Sequence, residues 1–147
     1  MNILITGVHG FVGSNLVKAL VPEHTIFGLD IVAPKKEGVK KTFFWEDLPS
    51  TNLGQTQLLD FPKIDAIIHL AGKAHDTRNK STADVYFRVN TGLTQRIFDW
   101  FLTSKSAKKF IFFSTVKSAA DRVEGEFLTE ECVPTPVGPY GESKIKA

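Results

Sequence analysis

The chain has 147 residues, of which 42% are hydrophobic and 23% are charged, and its formal net charge at pH 7 is +2. This composition is close to average soluble usage and excludes collagen, low-complexity disorder and a disulfide scaffold, since Cys132 is the single cysteine. The length suits one domain, and the apolar runs are far shorter than the ~18 residues of a membrane span. Because the charge is mild and no signal peptide is visible, we expect a cytoplasmic protein that binds neither nucleic acid nor membrane.

Short apolar runs alternate with helical patterns along the chain. Asn2–Thr6 is predicted as a buried strand, and Phe11–Leu20 as a helix in which apolar residues recur every four positions. Further apolar runs without polar alternation predict strands covered on both faces, at Thr25–Leu29 and at residues 42–45, 66–70 and 110–113. Together these elements indicate a parallel sheet flanked by helices, an α/β fold.

The second half of the chain carries two longer features. Residues 81–104 have apolar side chains at spacings of three and four, which predicts one long amphipathic helix. Residues 118–138 are polar and contain Pro134 and Pro136, so we expect a long surface loop there. A last helix is predicted to start near Tyr140.

A glycine-rich turn joins the first strand to the first helix. Gly7, Gly10 and Gly13 would permit a tight turn, close approach of the backbone to a pyrophosphate and close packing of helix on strand. The amides that open the helix, at Phe11 and Val12, would then face the phosphates. The alternative is an ordinary turn between a strand and a helix.

The second predicted strand is followed by a carboxylate. Asp30 lies 17 residues after Gly13, close to the ~20-residue offset at which an acid accepts hydrogen bonds from the adenosine ribose. A carboxylate there would repel a 2′-phosphate, which favours NAD over NADP. Lys35 and Lys36, a few residues further on, leave NADP as the alternative.

The motifs of this chain resemble those of the extended short-chain dehydrogenase/reductase family, specifically its nucleotide-sugar epimerases and dehydratases. The resemblance rests on the G-x-x-G-x-x-G spacing from Gly7, on the segment 69–72 (H-L-A-G), and on Y-x-x-x-K from Tyr140 to Lys144. It covers essentially all 147 residues, as the N-terminal portion of such proteins. It implies a Rossmann-type doubly wound parallel sheet that stops after about five strands, so that residues 1–147 form an incomplete NAD-binding domain without the substrate domain.

The resemblance also implies further cofactor contacts. Asp47 and Leu48 resemble the family's adenine-contacting pair, and Leu70, Ala71 and Gly72 resemble its segment of small residues against the cofactor. Asn90 resembles an asparagine of the long helix that faces the cofactor site. The alternative for Asn90 is a core amide bonded to nearby backbone, because it shares a face with apolar residues and must find partners.

The family's catalytic positions match three residues of this chain. Thr115, with Ser114 beside it on the cofactor side, falls at the Ser/Thr position that hydrogen-bonds the reacting sugar hydroxyl, and Tyr140 and Lys144 match the Tyr/Lys pair. Four residues apart on a helix, this pair shares a face, and a neighbouring ammonium favours the phenolate form of a tyrosine. The family also implies that Lys144 holds the nicotinamide ribose. Residues 118–120 (S-A-A) depart from the common V-Y-G, which leaves the substrate class open.

The mechanism implied by the family is transient oxidation of a sugar. Tyr140 would remove a hydroxyl proton, hydride would pass to NAD, and Thr115 would orient the hydroxyl. The string 114–117 (S-T-V-K) and the segment 128–131 (L-T-E-E) are similar to bacterial UDP-N-acetylglucosamine 4-epimerases, so a UDP-N-acetylhexosamine 4-epimerase is expected. A dehydratase, a ketoreductase and a non-catalytic dinucleotide-binding module are the alternatives.

Relatives continue for about as many residues again, so we expect this chain by itself to be inactive and to represent the cofactor-binding half of an enzyme. A missing sixth strand would leave the fifth strand as an open edge, and a homodimer through that edge or through the long helix is a further expectation. The histidines at 9, 24, 69 and 75 lack metal-ligand spacing, so no metal is expected.

Overall fold

The parallel sheet is the centre of the fold. A computed structural model describes residues 1–48, 61–74, 81–123 and 125–147. Its five strands lie in the order β3-β2-β1-β4-β5, and every neighbouring pair is parallel, which confirms the Rossmann-type prediction. The strands are β1 Asn2–Thr6, β2 Thr25–Leu29, β3 Val39–Phe43, β4 Ala66–His69 and β5 Lys109–Phe112.

Four α-helices, one π-helical segment and two 3-10 turns accompany the strands in the described ranges. The α-helices are α1 Phe11–Leu20, α2 Ala83–Tyr86, α3 Leu93–Thr103 and α4 Gly138–Lys146. A π-helical segment, Phe87–Gly92, joins α2 to α3, and single 3-10 turns lie at Trp45–Asp47 and Val116–Ser118. None of the described helices is long and apolar enough to cross a membrane.

The chain divides into two compact units. The first is Met1–Ala71 with Arg96–Phe113, and the second is Gly72–Gln95 with Ser114–Ala147. The first unit contains the sheet and a core in which side chains of β1, β2 and β4 pack against α1; its buried members are Ile3, Ile5, Val8, Val17, Ile26, Ala66 and Ile68. This core places the ends of β1, β2 and β4 beside the glycine-rich turn.

The two edge strands differ from the prediction. β3 begins at Val39 rather than at residue 42, and Trp45 lies in a 3-10 turn beyond it. The ammonium groups of Lys40 and Lys41 lie over the rings of Phe27 and Phe43, at 5.8 and 4.7 Å from the ring centroids. An edge strand can carry such amphipathic side chains because only part of it is buried, and a search for unbroken apolar runs misses it.

The prediction that the strands are covered on both faces holds for the interior of the sheet and is wrong at its edges. β1, β2 and β4 are buried along almost their whole length, whereas β5 alternates between exposed and half-buried residues. β5 also starts one residue earlier than predicted. Among the described residues, β5 is the last strand in the order of the sheet.

The long helix predicted at 81–104 is found as one continuous helical run of α2, the π-helical segment Phe87–Gly92 and α3. The second unit contains the part of this run up to Gln95, together with the last helix. The last helix, α4, begins at Gly138, near the predicted start. Gly138 has a φ of 78°, a left-handed conformation that glycine adopts at little cost, and Pro139 then suits the first helical turn.

Candidate functional site

The glycine-rich turn is closed by backbone packing that leaves no room for side chains. Gly7 has a φ of 68°, and a Cβ there would lie 3.1 Å from the Cα of Ala71. A Cβ on Gly13 would lie 2.8 Å from the Cα of Val8. Both glycines are therefore required by close approach of main chains.

The N-terminus of α1 is open to an anion. Within the described residues no side chain caps this helix, and its first turn carries no acidic residue. The first amides of an α-helix have no intrahelical acceptor, and the helix dipole adds partial positive charge at this end. Phe11, which begins the helix, is 87% exposed. This helix end has the donors that a diphosphate requires.

Asp30 lies against the glycine-rich turn. Its Oδ2 accepts a hydrogen bond from the His9 amide at 3.0 Å, and its Oδ1 accepts one from the Ile31 amide at 2.7 Å. The residue is only 9% exposed. A carboxylate has about four lone-pair sites, so each oxygen retains capacity for a ribose hydroxyl.

The Thr6 hydroxyl links β1 to β4 next to this turn, and all of its hydrogen-bonding capacity is used. The Oγ1 of Thr6 accepts hydrogen bonds from the amides of Leu70 and Ala71, at 3.1 and 2.9 Å, and lies 2.6 Å from Nδ1 of His69. A hydroxyl has two lone pairs and one proton, so the proton must go to Nδ1. The imidazole therefore carries its own proton on Nε2, and the Leu70–Ala71 backbone is held beside Gly7.

Asp47 and Leu48 lie just after the third strand. The Asp47 Oδ2 accepts a hydrogen bond from the Phe44 amide at 2.8 Å, and this bond closes the 3-10 turn. Leu48 is buried. Their contact with adenine stays a prediction.

The second unit contains Tyr140 and Lys144, one turn apart on α4. The Tyr140 ring is half-buried and lies edge-on to the ring of Tyr86, with 6.4 Å between the centroids. Lys144 is 7% exposed, and burial lowers the pKa of its ammonium below the ordinary value of 10.5. A Cβ on Gly72 would lie 3.9 Å from the Lys144 Nζ, so Gly72 lies next to the lysine ammonium.

Asn90 is the centre of a hydrogen-bond network in the same unit. Its Oδ1 accepts from the Lys73 amide at 2.6 Å, and its Nδ2 donates to the Lys73 carbonyl at 3.1 Å and to the Ser143 Oγ at 2.9 Å. The amide is buried and well satisfied, as a core asparagine must be. One lone pair of Oδ1 remains, so the predicted cofactor contact stays a prediction.

Thr115 and Ser114 precede the 3-10 turn that packs against α4. The Thr115 Oγ1 accepts from the Lys117 amide at 3.3 Å, and Ser114 is exposed with its Oγ 3.3 Å from the Ser118 Oγ. A Cβ on Gly141 would collide with the Lys117 carbonyl oxygen. Close packing at Gly141 therefore sets the distance between α4 and the turn.

Two residues that shape these sites, Thr6 and Ser143, were not singled out from the sequence. Thr6 is a polar residue at the last position of a buried strand, and that position is the signal that could have identified it. Ser143 is completely buried, but nothing in a single sequence distinguishes it from a surface serine.

No group of three or more histidine, cysteine or acidic side chains that could hold a metal ion occurs within the described ranges. His75 lies outside them.

The lowered pKa of Lys144 predicts a pH dependence of stability. Between that pKa and 10.5 the unfolded chain holds a proton that the folded chain has released, so this lysine makes the free energy of unfolding rise with pH. In a Lys144→Met variant this contribution is absent. Urea unfolding at increasing alkaline pH measures it, with Lys105→Met as the control for loss of an exposed charge. Identical pH slopes in the parent and Lys144→Met would contradict the prediction.

A parallel sheet, a glycine-rich turn opening a helix, and a Tyr-x-x-x-Lys helix define a class of nucleotide-dependent enzymes of the Rossmann type. The chain belongs to the NAD dependent epimerase/dehydratase family, whose family model matches residues 3–147. The predicted family is thereby confirmed.

The known proteins that are similar to the chain include three 4-epimerases. The UDP-glucose 4-epimerase of Streptococcus mutans is 27% identical over 151 aligned residues, which cover 99% of this chain and 44% of that protein. The UDP-glucuronic acid 4-epimerase from Bacillus cereus, solved with UDP-glucuronic acid and NAD, is 27% identical with a TM-score of 0.73 over 99% of this chain and 49% of the other. The UDP-Glc/GlcNAc 4-epimerase of Campylobacter jejuni, at 24% identity, a TM-score of 0.76 and coverage of 99% and 46%, shows likeness of fold alone. The chain thus spans less than half of each of these proteins.

Proposed function

We propose that these residues form the NAD-binding domain of a nucleotide-sugar 4-epimerase and supply its proton-transfer residues, and that its substrate is a UDP-N-acetylhexosamine. The observation that carries this proposal is the Tyr140–Lys144 pair, held one turn apart on α4 with the lysine almost completely buried. A buried ammonium beside a phenol favours the phenolate, the form that can take a proton from a sugar hydroxyl.

The residues of the first unit fit NAD. The uncapped N-terminus of α1 supplies donors for a diphosphate, and the close-packed glycines Gly7, Gly10 and Gly13 keep side chains out of the turn. Asp30 would accept hydrogen bonds from the adenosine ribose, and its charge would exclude a 2′-phosphate. When bound, NAD supplies the acceptor and donor of hydride in such an enzyme.

The residues of the second unit suit proton transfer at a sugar. Tyr140 would take the proton of the reacting hydroxyl as general base. Thr115 would orient that hydroxyl, because its Oγ1 already accepts the Lys117 amide and its own proton remains to donate. Asn90 and Ser114 would contribute cofactor contacts.

Two relatives support the sugar-nucleotide class: the Streptococcus mutans protein is named a UDP-glucose 4-epimerase, and the Bacillus cereus enzyme is complexed with UDP-glucuronic acid. The proposal that the sugar is an N-acetylhexosamine rests on the similarity of segments 114–117 and 128–131 to bacterial UDP-N-acetylglucosamine 4-epimerases. Reduction of a keto sugar with oxidation of NADH would identify a ketoreductase instead, and loss of water from the sugar would identify a dehydratase. Cofactor binding without turnover would identify a binding module.

Cofactor choice is tested by calorimetry with NAD and NADP. We expect NAD to bind more tightly, and Asp30→Asn to reduce the ratio of the two affinities by about tenfold, since a charge-assisted hydrogen bond is worth roughly 1.5–3 kcal/mol. Asp121→Asn, at an exposed ion pair with Lys117, is the control. Tighter binding of NADP by the parent would overturn the assignment to Asp30, and no binding of either would overturn the cofactor.

Turnover is tested with UDP-N-acetylglucosamine, UDP-glucose and UDP-glucuronic acid on the protein expressed at its natural length. We expect epimerisation at C4, fastest with the N-acetylated sugar, and a fall in kcat of at least about a hundredfold in Tyr140→Phe with NAD affinity retained, as for loss of a general base. An active Tyr140→Phe variant would exclude Tyr140 as the base.

A further inference from the structure

A directed chain of hydrogen bonds runs from the Lys73 backbone to α4. The Lys73 amide can only donate, so the Asn90 atom 2.6 Å from it must be the oxygen, Oδ1. The nitrogen of the same side chain therefore faces the Lys73 carbonyl and the hydroxyl of Ser143. The orientation of the Asn90 amide follows from its partners.

The Ser143 hydroxyl extends this chain of hydrogen bonds into α4. Its Oγ accepts from the Asn90 Nδ2, so its proton goes to the carbonyl of Tyr140, 2.9 Å away. In an α-helix that carbonyl is also the acceptor for the amide of Lys144. Hydrogen bonds from a serine to the preceding helical turn commonly bend a helix, so this hydroxyl acts on the turn between Tyr140 and Lys144.

Two residues of the π-helical segment donate hydrogen bonds to Ser143. Asn90 holds its hydroxyl, and the Oγ1 of Thr91 donates to its carbonyl at 2.9 Å. Ser143 and Asn90 are 0% and 1% exposed, so water does not compete for the bond between their side chains. The widened turn thus presents two consecutive polar residues to one serine of α4.

From this geometry we propose that Ser143 is a positioning residue, which sets the relative placement of the Tyr140 phenol and the Lys144 ammonium through the helical turn between them. It touches no substrate or cofactor atom in this role. The proposal rests on the proposed function, because it concerns the pair assigned to proton transfer there.

The test compares Ser143→Ala, Ser143→Thr and Thr94→Val in the protein at its natural length. Thr94 is a matched control, since its buried hydroxyl donates to the Asn90 carbonyl at 2.6 Å within the same helix. For Ser143→Ala we expect kcat with the UDP-sugar to fall about tenfold to a hundredfold, because small misplacements of reacting groups have effects of that size. KM and NAD affinity should stay within about twofold of the parent.

Ser143→Thr, which keeps the hydroxyl, should restore most of kcat, and Thr94→Val should lower the melting temperature without lowering kcat. Equal kcat in Ser143→Ala and the parent would overturn the proposal, as would equal losses of kcat in Ser143→Ala and Thr94→Val. If Ser143→Thr does not fold, the comparison of Ser143→Ala with Thr94→Val still decides. Tyr140→Phe is measured in parallel: full activity there, or no turnover by the parent, overturns the proposed function itself.

Discussion

Replacement of Gly13 by alanine is expected to destabilise the fold by about 2 kcal/mol and to abolish measurable NAD binding. The added Cβ would lie 2.8 and 2.9 Å from the Cα and carbonyl carbon of Val8, and backbone atoms cannot rotate away as a side chain can. Overpacking of this kind costs roughly 1–3 kcal/mol or more, which exceeds the gain of about 1 kcal/mol from replacing a helical glycine by alanine. Urea unfolding and calorimetry measure the two effects.

Gly92→Ala is the matched control, because Gly92 is also helical and the nearest described atom to its added Cβ is the Phe87 oxygen at 3.9 Å. We expect this variant to be as stable as the parent or more stable by up to about 1 kcal/mol. Equal stability of the Gly13 and Gly92 variants would contradict the argument that the turn is closed by backbone contact.

Replacement of Asn90 by alanine is expected to lower the free energy of unfolding by about 3 kcal/mol. It removes the partner shared by the half-buried Lys73 amide and carbonyl and by the buried Ser143 hydroxyl, and a buried group left unsatisfied costs roughly 1–3 kcal/mol. Asn90→Asp should be at least as unstable, since a carboxylate can accept from the Lys73 amide but cannot donate to the carbonyl.

Asn15→Ala is the control, because Asn15 is an exposed helical asparagine whose Nδ2 donates to the Phe11 carbonyl at 2.9 Å. Loss of the Asn15 side chain should change the free energy of unfolding by less than about 0.5 kcal/mol, as is usual for surface substitutions. Urea unfolding of the three variants provides the comparison. A small effect of Asn90→Ala would show that water replaces the amide at Lys73.

The sequence predicts best those elements whose surroundings are uniform along their length. Phe11–Leu20 and Thr25–Leu29 are found with the predicted bounds, because one is a two-sided helix and the other a strand buried from end to end. Residues 39–43 were misplaced since Lys40 and Lys41 interrupt the apolar pattern at a sheet edge. The burial that decides such a strand depends on neighbours distant in sequence.

The site residues also divide into those that follow from local spacing and those that depend on neighbours distant in sequence. Gly7, Gly13 and Asp30 follow from local spacing because one turn and the next strand end bring them together. Asn90 was expected to need partners, but its bonds to Lys73 and Ser143 span 17 and 53 residues and depend on the packing of separate segments. The apolar spacing of residues 81–104 is that of a regular helix. The π-helical winding around Asn90 therefore cannot be recognised from this spacing.

The central place of β1 in the sheet has a consequence for synthesis. Its partner β4 follows 63 residues later in the chain, as the Thr6–His69 pair illustrates. At translation rates of roughly 5–20 residues per second, β1 waits about 3 to 13 s with one edge unpaired. Nascent chains stalled before β4 should therefore recruit chaperones, and those stalled beyond it should not.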